Sequence, residues 1–343
     1  MDARLQEQYI RTSFEDIQHL LDNPKINEIM LNPYNENKGV FWIINTEGEH
    51  EIAKGVDGNP IYWDDIKTAQ VISTLSGQNH KLTHSQRPIL ECNIPVLNFR
   101  FTGTLRPCAL GANHFTIRKF LPKRLTFDDY TNAGLTENII KTLRLWIEHR
   151  FNVVICGEMM SGKTTFGNAW LQEIQLYKPN ERIIILQDTP ELSWTHGSNI
   201  APMVTTNEIT MDDLVKLSLR YTGKRICVSE VRAAEAYSLY KAWQTGHRGG
   251  FTTMHAPDIP TALDRFEKMC MEHYQCAKVD RSSLASAINA VVSIQSVEVP
   301  KIDPDTGERI WEIQRRVTQI AEVTGYDSEH ARYTYHPILG AVL

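Results

Sequence analysis

Apolar positions along the chain follow two rhythms. Over residues 5–22, LQEQYIRTSFEDIQHLLD places apolar residues at helical spacing and stops near Asn23-Pro24, which predicts a helix. INEIMLNP then alternates as a strand does, and GVFWIINTEGEHEIA reads as a hairpin turning at Glu47-Gly48. A second helix is predicted from Trp63 to about Leu75, with Gly77 to end it. Apolar pieces broken by Pro88, Pro95 and Pro107 follow, ending in the strand NHFTIRKF. Residues 1–120 are therefore expected to form a small α+β domain. The next stretch, LPKRLTFDDYTNAG at 121–134, has proline and charge without a period and reads as a linker.

From Leu135 the rhythm changes. The unbroken apolar runs FNVVIC, RIIILQ, RICVS and GFTTMH alternate with helical segments such as GKTTFGNAWLQEIQL and AAEAYSLYKAWQTG. Strands without polar positions, alternating with helices, predict a parallel sheet covered on both faces. Near the end VVSIQSVEV, the turn-rich DPDTGER and IWEIQRRVTQIAEV predict an antiparallel appendage, so the second domain is expected over 135–343.

Composition narrows this picture by exclusion. A length of 343 residues suits two domains, and 42% hydrophobic with 22% charged residues excludes disorder for the bulk of the chain. With 36 Lys+Arg against 41 Asp+Glu the net charge is −5, which argues against tight, direct DNA binding. No apolar run approaches the ~18–20 residues of a membrane-spanning helix, and the polar opening MDARLQEQYI lacks a signal-peptide core. The expectation is a protein kept inside the cell. Its six cysteines form no CxxC pair, and Cys156 and Cys227 sit in apolar runs where a thiol acts as a small hydrophobe.

Chemistry enters at Gly157-Glu158-Met159-Met160-Ser161-Gly162-Lys163-Thr164, a full G-x-x-x-x-G-K-[ST] loop between a predicted strand and a predicted helix. Such a loop lets backbone N–H groups converge on phosphates at a helix N-terminus. Lys163 is expected to reach the β/γ-phosphates, and the Thr164 hydroxyl to bind Mg²⁺. No N-K-x-D guanine motif is present, since Asn37-Lys38 is followed by Gly39-Val40, so ATP is favoured over GTP. Hydrolysis also needs carboxylates. RIIILQ runs into Asp188-Thr189-Pro190-Glu191 and RICVS into Glu230-Val231-Arg232, at the strand ends where ligands of open α/β sheets bind. TGHRGGFTTMH closes on His255, whose neutral imidazole is placed to hydrogen-bond a γ-phosphate.

Together these elements resemble the secretion ATPases, the hexameric traffic ATPases of type IV secretion and conjugative transfer, with relatives in type II secretion and type IV pili. The resemblance covers most of the chain. It rests on GEMMSGKTT (157–165), RIIILQDTPEL (182–192, the Asp box), ICVSEVRAAEA (226–236, an atypical Walker B) and TGHRGGFTTMHA (245–256, the His box). RPILECNIPVLNFRF (87–101) and HFTIRKF (114–120) are similar to the family's arginine-bearing strands, and KAWQTGHRGG and TFDDYTNAG lean toward the conjugative branch. The resemblance implies an α/β fold with a RecA-like P-loop ATPase domain behind a smaller N-terminal α+β domain. It also implies a homohexamer that hydrolyses Mg-ATP at the cytoplasmic face of the bacterial inner membrane, beside inner-membrane secretion or conjugation components. Neither sequence-specific nucleic-acid contact nor a transmembrane segment is expected. Loss of the γ-phosphate is expected to move one domain against the other.

Residue by residue, the resemblance implies that Gly157, Ser161, Gly162, Lys163, Thr164 and Thr165 bind the nucleotide and that Thr164 and Glu230 hold Mg²⁺. Glu191, Glu230, His255, Arg100 and Arg118 are the implied catalytic set, the two arginines contacting the triphosphate. Three positions depart from the family pattern: Gln187 stands where a Glu is usual, Ser229 replaces a glycine, and Arg106 stands where proline is common. Gln187 leaves a rival open, a nucleotide-gated docking protein with negligible turnover, although a glutamine can also orient water. A pilus or type II secretion motor is a further alternative, weakened by the missing paired CxxC. A small-molecule kinase lacks any sign of an Arg-rich lid.

Overall fold

Capping residues and apolar spacing set the elements of the computed structural model. It describes residues 3–340 apart from 47, 80, 95, 96, 98, 120–124, 196, 207 and 303–308. The predicted turn at Glu47, the break at Pro95, the first residues of the expected linker and most of DPDTGER lie outside the described residues. The chain divides into two units, Met1–Pro122 and Lys123–Leu343.

The first unit begins with α1 (Ala3–Ser13) and α2 (Gln18–Asp22). The strands β1 (Ile26–Asn35), β2 (Lys38–Asn45), β3 (His50–Ile52) and β4 (Tyr62–Asp64) follow, then α3 (Asp65–Gln78). β5 (Ile89–Ile94), β6 (Phe99–Thr104) and β7 (His114–Lys119) complete a seven-stranded sheet of order β3-β2-β1-β7-β6-β5, with β4 also on β2. Asp64 caps α3 by accepting the Lys67 N–H. Period-two alternation turns Phe99, Phe101, Phe115 and Ile117 into a core with Phe14 of the N-terminal segment and Ile72 of α3. The opposite parity places Glu28, Arg118, Arg100 and Asn93 in one row across four adjacent strands.

The second unit opens with α4 (Glu137–Glu148), capped by Thr136, and then β8 (Val153–Gly157) and α5 (Lys163–Tyr177). β9 (Ile183–Gln187), β10 (Ile200–Val204), α6 (Met211–Ser218), β11 (Arg225–Val228), α7 (Glu235–Gln244) and β12 (Phe251–His255) come next. α8 (Ile259–Met271), α9 (Arg281–Ala287), β13 (Ala290–Ile302), β14 (Arg309–Asp327) and β15 (Arg332–Leu339) end the unit. Its sheet runs β10-β9-β11-β12-β8-β13-β14-β15, parallel through β13 and antiparallel after it. Every residue of β8 and β9 is buried, which is why their runs carry no polar alternation. Val154, Cys156, Ile184 and Leu186 face one core, and Val153, Ile155, Ile183 and Ile185 the other. Burial pushes the Cys156 and Cys227 thiols up to about 12, so both are inert packing groups.

The expected linker is corrected here. Residues Phe127–Ala133 form a 3₁₀ helix held by a Thr126–Asp129 capping box. Phe127 is fully buried, 5.2 Å from the Trp170 ring, and Tyr130 meets Phe166 edge-on at 5.0 Å. The Phe127 N–H donates to the buried Glu173 carboxylate at 2.9 Å. Two aromatic anchors three residues apart make this segment part of the second unit's core, and the charges around them hid the pattern.

Candidate functional site

Parallel pairing decides which side chains can meet. β8, β9, β11 and β12 run the same way, so the residues at and beyond their C-terminal ends share one edge of the sheet. That edge carries the 158–162 loop, Gln187 with Asp188, Ser229 with Glu230, and His255. The His-box motif is split by β12: His247 lies at the opposite end, its Nδ1 3.2 Å from the Gly223 carbonyl.

The loop's glycines have separate reasons. A side chain at Gly157 would collide with the Ile294 carbonyl of β13, which pairs with it. Gly162 adopts φ +95° at the start of α5. Met160 has φ +61° without being glycine. Lys163 is nearly buried; its Nζ donates to the Glu158 carbonyl (2.6 Å) and stands 3.2 Å from His255 Nδ1. An ammonium can only donate, so Nδ1 accepts and the ring proton sits on Nε2. Nε2 lies 3.1 Å from Glu230 Oε1, close enough for electrostatic contact yet outside hydrogen-bond geometry. Burial first, and then the Lys163 charge, lower the His255 pKa below its ordinary 6.5, which keeps the ring neutral near pH 7.

Glu230 Oε2 accepts from Arg232 Nε at 2.7 Å, and a terminal Arg232 nitrogen lies 3.4 Å from Asp188. Burial opposes the charge on Arg232, but Glu230, Asp188 and Glu191 together outweigh it and raise its pKa. Arg232 thus joins the two acidic strand ends. In the sequence Arg232 stands out only as a neighbour of Glu230, although a base two residues past a strand-end acid is a visible signal. Gln187 is buried, and its Oε1 accepts the Leu192 N–H at 2.7 Å. Asn168 of α5 secures the same turn, donating to the Glu191 carbonyl and accepting from the Ser193 N–H. Through its amide oxygen Gln187 shapes the turn that presents Glu191.

These groups fit a magnesium nucleotide. Ser161 Oγ is fully buried and Glu230 Oε1 is buried, and neither makes a hydrogen bond among the described residues. Thr164 is half-buried and Thr165 exposed in the first turn of α5. Ser161 Oγ, Lys163 Nζ and the helix N-terminus suit terminal phosphates, and the Thr164 hydroxyl with the Glu230 carboxylate suits a hard divalent cation. Arg315, on β14, donates from Nε to the Met160 carbonyl at 3.0 Å; it lies 155 positions from that residue, and no local pattern announces it.

Arg100 and Arg118 belong to the first unit. They sit directly opposite each other on β6 and β7, with Arg118 Nε 3.6 Å from Glu28. Like charges in cross-strand register repel, and the Glu28 carboxylate beside Arg118 offsets part of that repulsion.

Residues 63–336 match the family described as Type II/IV secretion system protein. The conjugal transfer protein TrbB of Rhizobium radiobacter is 32% identical over 311 residues, covering 90% of this chain and 87% of that protein. A probable conjugal transfer protein TrbB of Sinorhizobium fredii is 32% identical over 276 residues, 80% of each. Among solved structures, the Legionella pneumophila ATPase DotB aligns with a TM-score of 0.59 at 14% identity, covering 89% of this chain and 80% of that one. That likeness speaks for the fold, a RecA-like domain behind a smaller N-terminal one.

Proposed function

The chain belongs to the Type II/IV secretion system protein family, and we propose that it is an Mg-dependent ATPase whose nucleotide cycle powers a type IV secretion or conjugative transfer machine. One observation carries the reading: the glycine-lined loop, the buried Lys163 and the Ser161 and Glu230 oxygens left without a hydrogen bond among the described residues converge at one sheet edge. The similarity to two conjugal transfer proteins supports the conjugative setting over a pilus or type II secretion motor.

In this reading the N–H groups of the loop, Ser161 and Lys163 take the β- and γ-phosphates of ATP, and Gly157 and Gly162 shape the loop around them. Bound Mg²⁺, held by Thr164 and Glu230, would neutralise charge between those phosphates. Glu230 orients and deprotonates the attacking water, while Glu191 adds a second carboxylate from the neighbouring turn. As Lys163 turns from the Glu158 carbonyl to a phosphate, His255 loses its donor and its neutral ring is released to report the γ-phosphate. Arg100 and Arg118, paired in register, supply charge that favours the triphosphate. Thr165, exposed beside Thr164, completes the nucleotide-contacting set.

The working form is proposed to be a homohexamer, peripheral to the cytoplasmic face of the inner membrane, engaging inner-membrane components of the machine. No described helix is long and apolar enough to cross a membrane, and the net charge of −5 gives no basis for direct DNA reading. Phosphate release at saturating Mg-ATP tests the enzyme: Lys163→Ala must abolish it, and indifference to that change overturns the site. Mass measurement with ATP present tests the assembly, a ring-sized particle supporting it and a persistent monomer refuting it.

A further inference from the structure

We infer that Arg315 is a positioning residue of the phosphate loop, holding the Met160 peptide in a left-handed conformation that glycine adopts freely and methionine does not. The inference rests on the nucleotide-binding reading of the loop.

β13 carries the geometry. Its Ile294 pairs with Gly157 of β8 on one side and Val317 of β14 on the other, and Ser296 pairs with Arg315. Arg315 therefore rises from the sheet just past the point where β8 becomes the loop. Its stem lies over Gly162, where an added Cβ would stand 3.2 Å from Arg315 Cδ. Its Nε–H donates to the Met160 carbonyl at 3.0 Å. In a trans peptide the C=O and the next N–H point in opposite directions. Anchoring the Met160 carbonyl on Arg315 therefore turns the Ser161 N–H to the inner side of the loop, 3.4 Å from the Glu158 carbonyl that also accepts from Lys163. Met160 itself has a φ of +61° in this turn. Left-handed backbone at a non-glycine residue persists only where the surroundings over-determine it, and the arginine is that surrounding here.

Equilibrium titration with Mg-ATP and steady-state kinetics on the full chain test this. Arg315→Ala is expected to weaken nucleotide binding about tenfold, the scale of a lost charge-assisted hydrogen bond, raising KM more than it lowers kcat. Adding Met160→Gly to that variant must restore most of the affinity, because glycine takes positive φ unaided. Arg315→Lys keeps the charge without the guanidinium's fixed Nε–H and must recover less than the glycine does. A double variant as weak as Arg315→Ala, or full rescue by lysine, overturns the inference in favour of a purely electrostatic role. If Arg315→Ala does not fold, Met160→Gly in the otherwise unaltered chain decides: binding at least as tight as wild type supports the inference, and weaker binding refutes it. Failure of the wild-type chain to bind Mg-ATP removes the functional reading and this inference with it. Wild-type binding that Arg315→Ala leaves unchanged removes this inference alone.

Discussion

β11 has a charged side chain at its start and another just past its finish, and the two live in opposite circumstances. Arg225, fully buried, donates to Glu181 at 2.5 Å, to the Gly249 carbonyl at 2.9 Å and to the Ile147 carbonyl at 2.8 Å. Glu181 in turn accepts from Arg150. Glu230, at the other end, has one oxygen taken by Arg232 and one buried with no hydrogen bond among the described residues. A buried charge with every partner in place serves architecture, whereas one left partly unmatched marks where a ligand completes the site. The same strand separates the two tasks by its length.

The sharpest way to break this contrast is to exchange the consequences. Glu230→Gln keeps the shape and removes the carboxylate, so hydrolysis should fall about a thousandfold while the melting temperature holds. Rates of phosphate release beside thermal melts check it, and a large loss of stability would erase the distinction. Arg225→Ala is the mirror case: removing one partner of a buried pair should cost about 3 kcal/mol in denaturant unfolding. Acid probes the same end. Burial alone would raise the Glu181 pKa, but the bonds to Arg150 and Arg225 outweigh it and hold it below the ordinary glutamate value. A carboxylate depressed in the folded state contributes stability above its unfolded pKa and loses it as the pH falls through the folded one. Unfolding at stepped pH should therefore show a loss beginning near pH 4.5 that Arg225→Ala diminishes.

At the functional end the pH signature is smaller and lies elsewhere. Because burial and Lys163 lower the His255 pKa, protonation sets in only below pH 6.5, and the acid limb of the ATPase profile should fall there. His255→Asn should flatten that limb; a limb that stays in place assigns it to another group. Gln187→Glu should have the least effect on turnover, since the side chain's oxygen is engaged by the Leu192 N–H. A large gain would revive the nucleotide-gated docking reading.

What could be read from the chain alone was local. The phosphate loop, the unbroken strands and the acids at their ends are contiguous in sequence, and parallel pairing needs only strand direction to gather them. The site's tuning was not legible because it is long-range. Arg315 reaches Met160 across two strand pairings, and Arg225, inside the apolar run RICV, gave no sign of carrying the sheet's satisfied charge. Phe127 and Tyr130 were masked by neighbouring Asp residues, which made a core segment look like free chain. The residue type of Gln187 points to chemistry, and only its burial shows that the amide oxygen also serves the backbone of its own turn.

The place of β8 in the sheet sets a timetable for biogenesis. Its two neighbours, β12 and β13, are encoded far downstream, at Phe251–His255 and Ala290–Ile302. On the ribosome the glycine-rich loop is therefore translated long before the walls that stiffen it exist. Nascent chains arrested short of Ala290 should leave the tunnel with the loop's sequence complete and no capacity to retain a nucleotide.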